Sequence, residues 1–180
     1  MINSDSLSLN NKNIDTILVL DFGSQYTQLI ARRIRELNVF SEILPWDISV
    51  EKIKLLDPKG IILSGGPESV TSSNTPRIPE VIFELDVPIL GICYGMQTLA
   101  EQFGGHVTSS KTKEFGHAEI VIDKPSLLFD GFSSGSKIDV WMSHGDHVST
   151  LPDQFNLIAA TSSAPIAAME HSNKPIFAYF

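Results

Sequence analysis

Cysteine, basic residues and long apolar runs are all scarce in this sequence. It has one cysteine in 180 residues, which excludes an internal disulfide and a zinc site built from several thiolates. Such sparing use of cysteine is typical of a reducing compartment, so we expect a cytoplasmic location. No apolar run approaches the roughly 20 residues that a membrane-spanning helix requires, and we expect no membrane partner.

Acidic residues outnumber basic ones by 21 to 13, which gives a formal net charge of −8 and a pI near 5.0. Nucleic-acid-binding proteins normally present a basic face, so we expect no nucleic-acid partner. A small anionic substrate is compatible with this charge, because its site needs only a few local donors. The length fits one domain, and a hydrophobic fraction of 42% is enough to form a core.

The order of the predicted elements indicates the fold class. Residues 1–16 are rich in Asn and Ser and are predicted to be a disordered tail, so that the domain covers residues 17–180. After the tail, buried-strand patterns alternate with helical patterns, which predicts an α/β fold with an open, mostly parallel sheet flanked by helices. The predicted strands are 17–20, 39–44, 60–64 and 87–92, and the predicted helices are 26–37, 50–56, 78–85 and 96–103.

The C-terminal third of the chain has a different pattern. Here short strand-like runs are separated only by turns, so we expect antiparallel hairpins or added edge strands. These runs are 119–122, 138–142, 156–160, 167–171 and 176–180.

Cys93 lies in the sequence Gly91-Ile92-Cys93-Tyr94-Gly95, between a predicted strand and a predicted helix. This pattern is typical of a sharp turn that exposes a nucleophile at the rim of a sheet. The helix N-terminus would lower the pKa of the thiol, and the N–H of Tyr94 would point at a developing oxyanion. The alternative is that Cys93 is only a small, buried core residue.

Two further segments are predicted to lie beside Cys93. Ligands bind at the carboxyl ends of parallel strands, and residues 21–24 and 64–67 both follow predicted strands, so all three sites should share one rim. Within 64–67, Gly65 and Gly66 allow the backbone N–H groups to turn toward an anion. An ordinary Gly-Pro turn is the alternative, but beside a nucleophilic cysteine a second oxyanion donor is favoured.

The segment Ser143-His144-Gly145-Asp146-His147 is a polar cluster that follows a strand-like run. Its two histidines have no second cluster of ligands to join, so we predict no metal site. We expect a loop that binds polar groups of a substrate, and a solvated turn is the alternative. Three other histidines carry no motif signal, namely His106, His117 and His171.

Four segments together resemble the class I (triad-type) glutamine amidotransferase domain, and within that family the domain of the GMP synthases. They are residues 21–30, 64–69, 91–97 and 141–146. The Gly-x-Cys-x-Gly turn and the Ser-Gly-Gly-Pro segment are common to many class I amidotransferases. Residues 21–30 and 141–146 point to the GMP synthases. The resemblance covers roughly residues 16–180.

The resemblance implies that this domain hydrolyses glutamine to glutamate and ammonia. Cys93 would attack the side-chain amide carbon and form a thioester. Backbone N–H groups of Gly66 (or Gly65) and Tyr94 would hold the oxyanion. The residues implied in gripping the amino-acid end of glutamine are Ser24, Gln97, Ser143, His144, Gly145 and Asp146.

The resemblance also implies partners beyond this domain. Ammonia would pass to a synthetase (ATP pyrophosphatase) domain on the same or a partner chain. That domain would use ATP and magnesium to adenylate xanthosine monophosphate, which is then aminated to guanosine monophosphate. The amidotransferase domain itself would need no cofactor, and a homodimer would form through regions outside this sequence.

One part of the family pattern is missing. The family triad is completed by His and Glu in a His-Pro-Glu motif after a late apolar strand, and residues 176–180 resemble that strand, but the motif occurs nowhere here. The Ser-Gly-Gly-x-Asp-Ser phosphate loop of the ATP domain is also absent. We therefore interpret the sequence as an incomplete part of a longer protein, with little or no glutaminase activity alone. The alternatives are another hydrolase or isomerase with a cysteine elbow, and a glutamine-binding or regulatory domain.

Overall fold

The computed structural model describes residues 15–180, except for the side chains of residues 110–115, 143 and 144. Residues 1–14 of the predicted tail lie outside the described residues, and the first strand begins at Thr16. The strands are β1 (Thr16–Asp21), β2 (Phe40–Pro45), β3 (Gly60–Leu63), β4 (Ile89–Ile92), β5 (His106–Ile122), β6 (Lys137–Thr150), β7 (Phe155–Ala160), β8 (Ala168–His171) and β9 (Ile176–Tyr179). The helices are α1 (Thr27–Glu36), α2 (Val50–Leu56) and α3 (Tyr94–Gln102), with short 3₁₀ helices at Glu80–Glu84 and Leu127–Phe129.

The nine strands of the described residues form one sheet, in the order β2-β1-β3-β4-β9-β8-β7-β5-β6. The pairings from β2 to β9 are parallel. The pairings from β9 to β6 are antiparallel. The sheet is therefore mixed, with antiparallel strands from the C-terminal third, as predicted for the fold class.

Helix α3 covers one face of the parallel half of the sheet. Seven consecutive residues of α3, from Tyr94 to Ala100, are buried. Met96 and Leu99 belong to the main core together with Leu20 and Leu63 from the strands. In contrast, α1 buries only Thr27 and Ala31 completely, because it packs over the edge of the sheet against β1 and β2. Because α3 is buried, Cys93, the residue that precedes it, is held in a fixed position.

Two features of the C-terminal third differ from the prediction. The polar segment 143–147, predicted to be a loop, lies inside β6, whose 14 residues pair with the 17 residues of β5 in a long ribbon. Strand β9, predicted to be an added edge strand or part of a hairpin, lies inside the sheet because it pairs with β4 on one side and β8 on the other. The loop prediction for residues 143–147 failed because the ribbon continues through polar residues that show no apolar alternation.

The predicted helices also differ in detail. The helix predicted over 78–85 is a shorter 3₁₀ helix that follows Pro79. Helix α3 begins at Tyr94, two residues before its predicted start, so Cys93 occupies its N-cap position. Within residues 15–180, no helix is long and apolar enough to cross a membrane.

Candidate active site

Cys93 stands at a strained turn between β4 and α3. Its backbone has φ 51° and ψ −107°, a conformation that non-glycine residues rarely adopt. Such strain costs on the order of 1–3 kcal/mol and persists only where the surrounding structure enforces it. Here the enforcing contacts are hydrogen bonds from the Cys93 N–H to the Tyr179 carbonyl (2.9 Å) and from the Gln97 N–H to the Cys93 carbonyl (3.0 Å).

The glycines on either side of Cys93 are required by close packing. A Cβ on Gly91 would lie 2.6 Å from the Leu99 side chain, and one on Gly95 would collide with the backbone of Leu63. The Gly95 N–H also donates to the Ser64 carbonyl at 3.1 Å, which holds the start of α3 against the end of β3. The Gly-x-Cys-x-Gly pattern therefore has the steric reason that the sequence predicted.

The three predicted rim segments do lie together. A Cβ placed on Gly65 would be 3.5 Å from the Cβ of Cys93 and 3.5 Å from the Oγ of Ser24. The glycine backbone thus lies against both side chains without a side chain of its own between them. This contact confirms that residues 21–24, residues 64–67 and Cys93 share one rim.

Three residues near Cys93 have backbone N–H groups without a hydrogen-bond partner. Within the part of the chain that the structure describes, the N–H groups of Gly65, Gly66 and Tyr94 donate no hydrogen bond to another group. Buried backbone donors are nearly always paired in folded proteins. A cluster of unpaired donors beside a nucleophile is the arrangement that an oxyanion requires.

Hydrogen bonds fix the two loops of the rim. The Oγ of Ser64 accepts from the Phe22 N–H (3.1 Å) and donates to the Gly65 carbonyl (2.9 Å). Ser64 is fully buried, so these two bonds are shielded from water. The Asp21 carboxylate accepts from the Gly23 N–H (2.9 Å) and from the Thr27 hydroxyl (2.8 Å).

Gln97 and Asp146 connect α3 to the long ribbon. The Nε2 of Gln97 donates to the Asp146 carbonyl (3.1 Å), and the Asp146 carboxylate accepts from the Ser109 hydroxyl (2.6 Å). Gly145, next to Asp146, is half-buried. The side chains of Ser143 and His144 lie outside the described residues. Predicted substrate-binding residues on α3 and β6 are thus in direct contact through Gln97 and Asp146.

The electrostatic environment of Cys93 is opposite to the prediction. Burial raises the pKa of the Cys93 thiol above its ordinary value, because the thiolate loses solvation. Burial, and then the charge of Cys93, also raise the pKa of Tyr179. The predicted lowering by the N-terminus of α3 is therefore wrong, since loss of solvation dominates. Among the described side chains, no cation lowers the pKa of Cys93.

The sequence did not reveal how α3 holds the loop that begins at Gly65. The Tyr94 hydroxyl donates to the Pro76 carbonyl at 2.7 Å. At the other end of α3, the Gln102 side chain accepts from the Ile78 N–H (2.9 Å) and donates to the Ile78 carbonyl (3.0 Å). A Tyr after an elbow nucleophile and a Gln at a helix end carry no signal for such contacts. These bonds attach α3 at two points to the loop that begins at Gly65.

Two of the histidines that carry no motif signal, His117 and His171, contact other side chains of the domain. His117 pairs with Asp139 at 2.8 Å on an exposed face of the ribbon. His171 contacts Gln154 at 3.0 Å and packs against the Phe155 ring. Among the described residues, no group of three or more His, Cys, Asp or Glu is placed to hold a metal ion.

Sequence comparison relates the chain to known proteins. Residues 18–179 match the class-I glutamine amidotransferase family. The chain is 55% identical over 173 residues to the glutamine-hydrolyzing GMP synthase of Teredinibacter turnerae, covering 93% of this chain and 33% of that protein. It is 54% identical over 171 residues to the corresponding enzyme of Hahella chejuensis, covering 89% and 32%. The chain thus spans about a third of the length of these relatives.

Solved structures have the same fold. A candidate GMP synthase component from Thermoplasma acidophilum superposes with a TM-score of 0.77 at 34% identity, over 92% of this chain and 82% of that one. A glutamine amidotransferase from Thermotoga maritima superposes with a TM-score of 0.71 over 92% and 74%, and its 19% identity shows the fold alone.

Proposed function

The chain belongs to the class I glutamine amidotransferase family, and on that premise we propose that its Cys93 site hydrolyses glutamine to glutamate and ammonia. The domain is homologous to the glutaminase domains of GMP synthases. The observation that carries the proposal is a single cysteine on a strained turn, surrounded by unpaired backbone donors. A purely regulatory or glutamine-binding role is not favoured, because it would leave that strain without a purpose.

The chemistry follows from the position of the thiol. A base removes the Cys93 proton, and the thiolate forms a bond with the side-chain amide carbon of glutamine. The intermediate breaks its carbon–nitrogen bond, the proton goes to the leaving nitrogen, and ammonia departs. Water then hydrolyses the thioester, which restores the thiol and releases glutamate.

The oxyanion of each tetrahedral intermediate needs fixed donors. We assign this role to the N–H groups of Tyr94 and of Gly65 or Gly66, which are unpaired and belong to residues near Cys93. The loops that carry them are fixed by the buried Ser64 hydroxyl and by the Tyr94 hydroxyl, so the donors do not reorganise during the reaction. Removing one such donor typically costs about 100- to 1,000-fold in kcat.

The amino-acid end of glutamine is assigned to the rim around the thiol. Ser24 lies against Gly65 beside Cys93, and Gln97 bonds the Asp146 backbone across the same site. Ser143, His144 and Gly145 belong to the same stretch of β6 as Asp146 and complete the proposed substrate-binding set. The assigned residues belong to β6, α3 and the loop after β1.

The reaction also needs a base for Cys93. The family resemblance assigns that base to a His-Pro-Glu motif, and this motif does not occur in the sequence. Because burial raises the pKa of Cys93, the uncatalysed thiol is mostly protonated at neutral pH. The Tyr179 carbonyl accepts the Cys93 N–H, so β9 ends directly beside the nucleophile. That is where the family resemblance puts the strand preceding its His and Glu, and we propose that the base acts from there.

The ammonia is proposed to serve a GMP synthase reaction. The relatives named GMP synthase are about three times as long as this chain, which leaves room for a synthetase domain. We propose that such a domain uses ATP and magnesium to activate xanthosine monophosphate for amination. A cytoplasmic location and a homodimer formed outside this domain belong to the same proposal.

A substitution of Cys93 tests the proposal in the polypeptide that the source cell makes. With Cys93→Ala, glutamine should support neither ammonia release nor GMP formation, because the nucleophile is gone. Ammonium chloride should still support GMP formation at the wild-type rate, since it bypasses the glutaminase site. Glutamine-dependent ammonia release by the Cys93→Ala protein would overturn the proposal.

A further inference from the structure

His171, the last residue of β8, is a buried ionisable side chain that has no part in the proposed chemistry. It is only 8% exposed. Its ring packs edge-on against the rings of Phe103 and Phe155, with ring centroids 5.8 Å and 5.1 Å apart. Phe103 is the C-cap residue of α3, and Phe155 is the first residue of β7. The imidazole therefore contacts both the end of the helix that follows Cys93 and the antiparallel half of the sheet.

The hydrogen bonds of His171 define its protonation state. Its Nδ1 accepts from the backbone N–H groups of Asn173 (3.0 Å) and Lys174 (3.1 Å). A ring nitrogen that accepts carries no proton, so the proton of the ring is on Nε2, which donates to the Oε1 of Gln154 at 3.0 Å. Protonation of Nδ1 would bring three N–H groups together without an acceptor. This arrangement therefore requires the neutral ring.

The surroundings of the ring also favour its neutral form. Burial, and then the charge of Lys174, lower the pKa of His171 below its ordinary value. The acidic residues on the elements packed against the ring are Glu170, Glu101 and Asp153. The first two accept hydrogen bonds from a serine hydroxyl and from a backbone N–H, and Asp153 is exposed. Among the described residues, Lys174 is the charged group that acts on this pKa.

The turn that begins at His171 leads into β9. At the end of the turn, the Pro175 carbonyl accepts from the Ile89 N–H at the start of β4 (2.9 Å). From there β9 pairs in parallel with β4 as far as Tyr179, whose carbonyl accepts from the Cys93 N–H. The register of a strand depends on the geometry of the turn that precedes it. The turn held by the imidazole therefore determines where β9 lies on β4, and β9 ends beside the nucleophile.

We propose that His171, in its neutral form, is a positioning residue of the glutaminase site, because it fixes the turn that sets β9 against β4. This inference rests on the proposed function, in which the base for Cys93 acts from the end of β9. Release of the turn would let β9 shift along β4, and the base would lose its position relative to the thiol. The residues assigned to glutamine lie on β6, α3 and the loop after β1, so they would stay in place.

Three substitutions in the polypeptide made by the source cell test this role. His171→Leu removes the acceptor of the two turn N–H groups. His171→Asn keeps an acceptor oxygen near the same place and has no proton to gain in this pH range. His117→Leu is the matched control, because His117 is an exposed histidine that pairs with Asp139 on the ribbon. Circular dichroism at the assay temperature confirms that the proteins compared are folded.

The expected result is a loss of kcat without a loss of glutamine binding. In His171→Leu, kcat for glutamine hydrolysis should fall about 10- to 100-fold with little change in KM, as expected for a displaced catalytic group. His171→Asn should restore most of that activity, and His117→Leu should match the wild type. An unchanged kcat in His171→Leu, or a loss that His171→Asn does not restore, would overturn the proposal. Failure of the proposed function is a different result, since the wild-type protein itself would then release no ammonia from glutamine.

Nuclear magnetic resonance of ¹⁵N-labelled histidine provides a second measurement, which does not depend on activity. The signals of His171 are assigned by their absence from the His171→Asn protein. At pH 7 they should be those of a neutral ring with its proton on Nε2, and the ring should become charged only below the ordinary histidine pKa of 6.5. A proton on Nδ1 at pH 7 would overturn the proposal, even if the His171→Leu protein does not fold.

Discussion

The hydroxyl of Tyr94 donates a hydrogen bond of 2.7 Å to the carbonyl oxygen of Pro76, and this bond links the helix after Cys93 to the loop that carries the proposed oxyanion donors. Tyr94 is the residue directly after Cys93, and its ring also packs against Phe22 at 5.4 Å. A Cβ on Gly66 would come within 3.3 Å of the same ring. One side chain therefore positions both proposed sources of N–H groups relative to the thiol.

Removing that hydroxyl should affect stability and turnover together. Tyr94→Phe keeps the ring but leaves the Pro76 carbonyl without its partner, which should lower the free energy of unfolding by about 1 kcal/mol. In the polypeptide made by the source cell, kcat for glutamine hydrolysis should fall severalfold with little change in KM, because the donors act mainly in the transition state. Urea denaturation and steady-state kinetics measure the two effects.

The control for this substitution is Tyr26→Phe. Tyr26 is 58% exposed, so removal of its hydroxyl should change the free energy of unfolding by less than about 0.5 kcal/mol. Equal destabilisation by both substitutions would show that the Tyr94–Pro76 bond has no special role.

The two glycines after Ser64 should respond differently to alanine. A Cβ at Gly66 would lie 2.6 Å from the Phe22 carbonyl, so Gly66→Ala should displace backbone and lower the melting temperature. A Cβ at Gly65 meets only ordinary contacts at 3.5 Å, so Gly65→Ala should fold normally. That methyl group would nevertheless stand between Cys93 and Ser24, and glutamine turnover should fall at least tenfold. A Gly65→Ala protein with full activity would contradict the assigned site.

The strained backbone of Cys93 predicts an unusual order of stability. Because φ is 51° there, alanine keeps the strain of a side chain, whereas glycine relieves it. Cys93→Gly should therefore be more stable than Cys93→Ala by about 1 kcal/mol, after subtraction of the entropic cost of glycine. Chemical denaturation of the two variants measures the difference. In unstrained positions glycine is the less stable of the pair, and that order here would contradict the backbone conformation.

The raised pKa of Cys93 predicts the pH dependence of alkylation. In this chain the thiolate should form only above the ordinary cysteine range, so the midpoint for iodoacetamide should lie above about pH 8.5. Because the folded-state pKa exceeds the unfolded one, this group's contribution to stability is complete below the unfolded pKa and is lost as pH rises through the folded one. The Cys93→Ser protein is the control for that loss. An alkylation midpoint below pH 7 would reveal a cationic partner.

The sequence predicted the parallel half of the fold because β1, β3 and β4 read as largely continuous apolar runs. It predicted the position of Cys93 for a related reason, since Gly91 and Gly95 are required by contacts with Leu99 and Leu63. The long ribbon could not be predicted in the same way. Its polar half, including Ser109 and Asp146, pairs across the strands with an irregular register between Ser109 and Glu114.

The pKa of Cys93 and the contacts that hold α3 in place could not be predicted from the sequence either. A helix N-terminus next to Cys93 suggests a low pKa, but the burial that raises it depends on tertiary packing, which the sequence does not show. The pairing of Gln102 with Ile78 joins residues 24 positions apart, so it depends on how β4 and α3 fold between them. A glutamine at the end of a helix carries no local sign of such a contact.

Covalent labelling tests the central claim most directly. The polypeptide made by the source cell is incubated with a glutamine-mimicking electrophile, and intact and peptide masses locate the adduct. We expect one adduct per chain, on the peptide that contains Cys93, which forms more slowly in the presence of excess glutamine and is absent from the Cys93→Ala protein. An adduct at another residue, or labelling of Cys93 that glutamine does not slow, would contradict the assignment of Cys93 as the nucleophile of a glutaminase site.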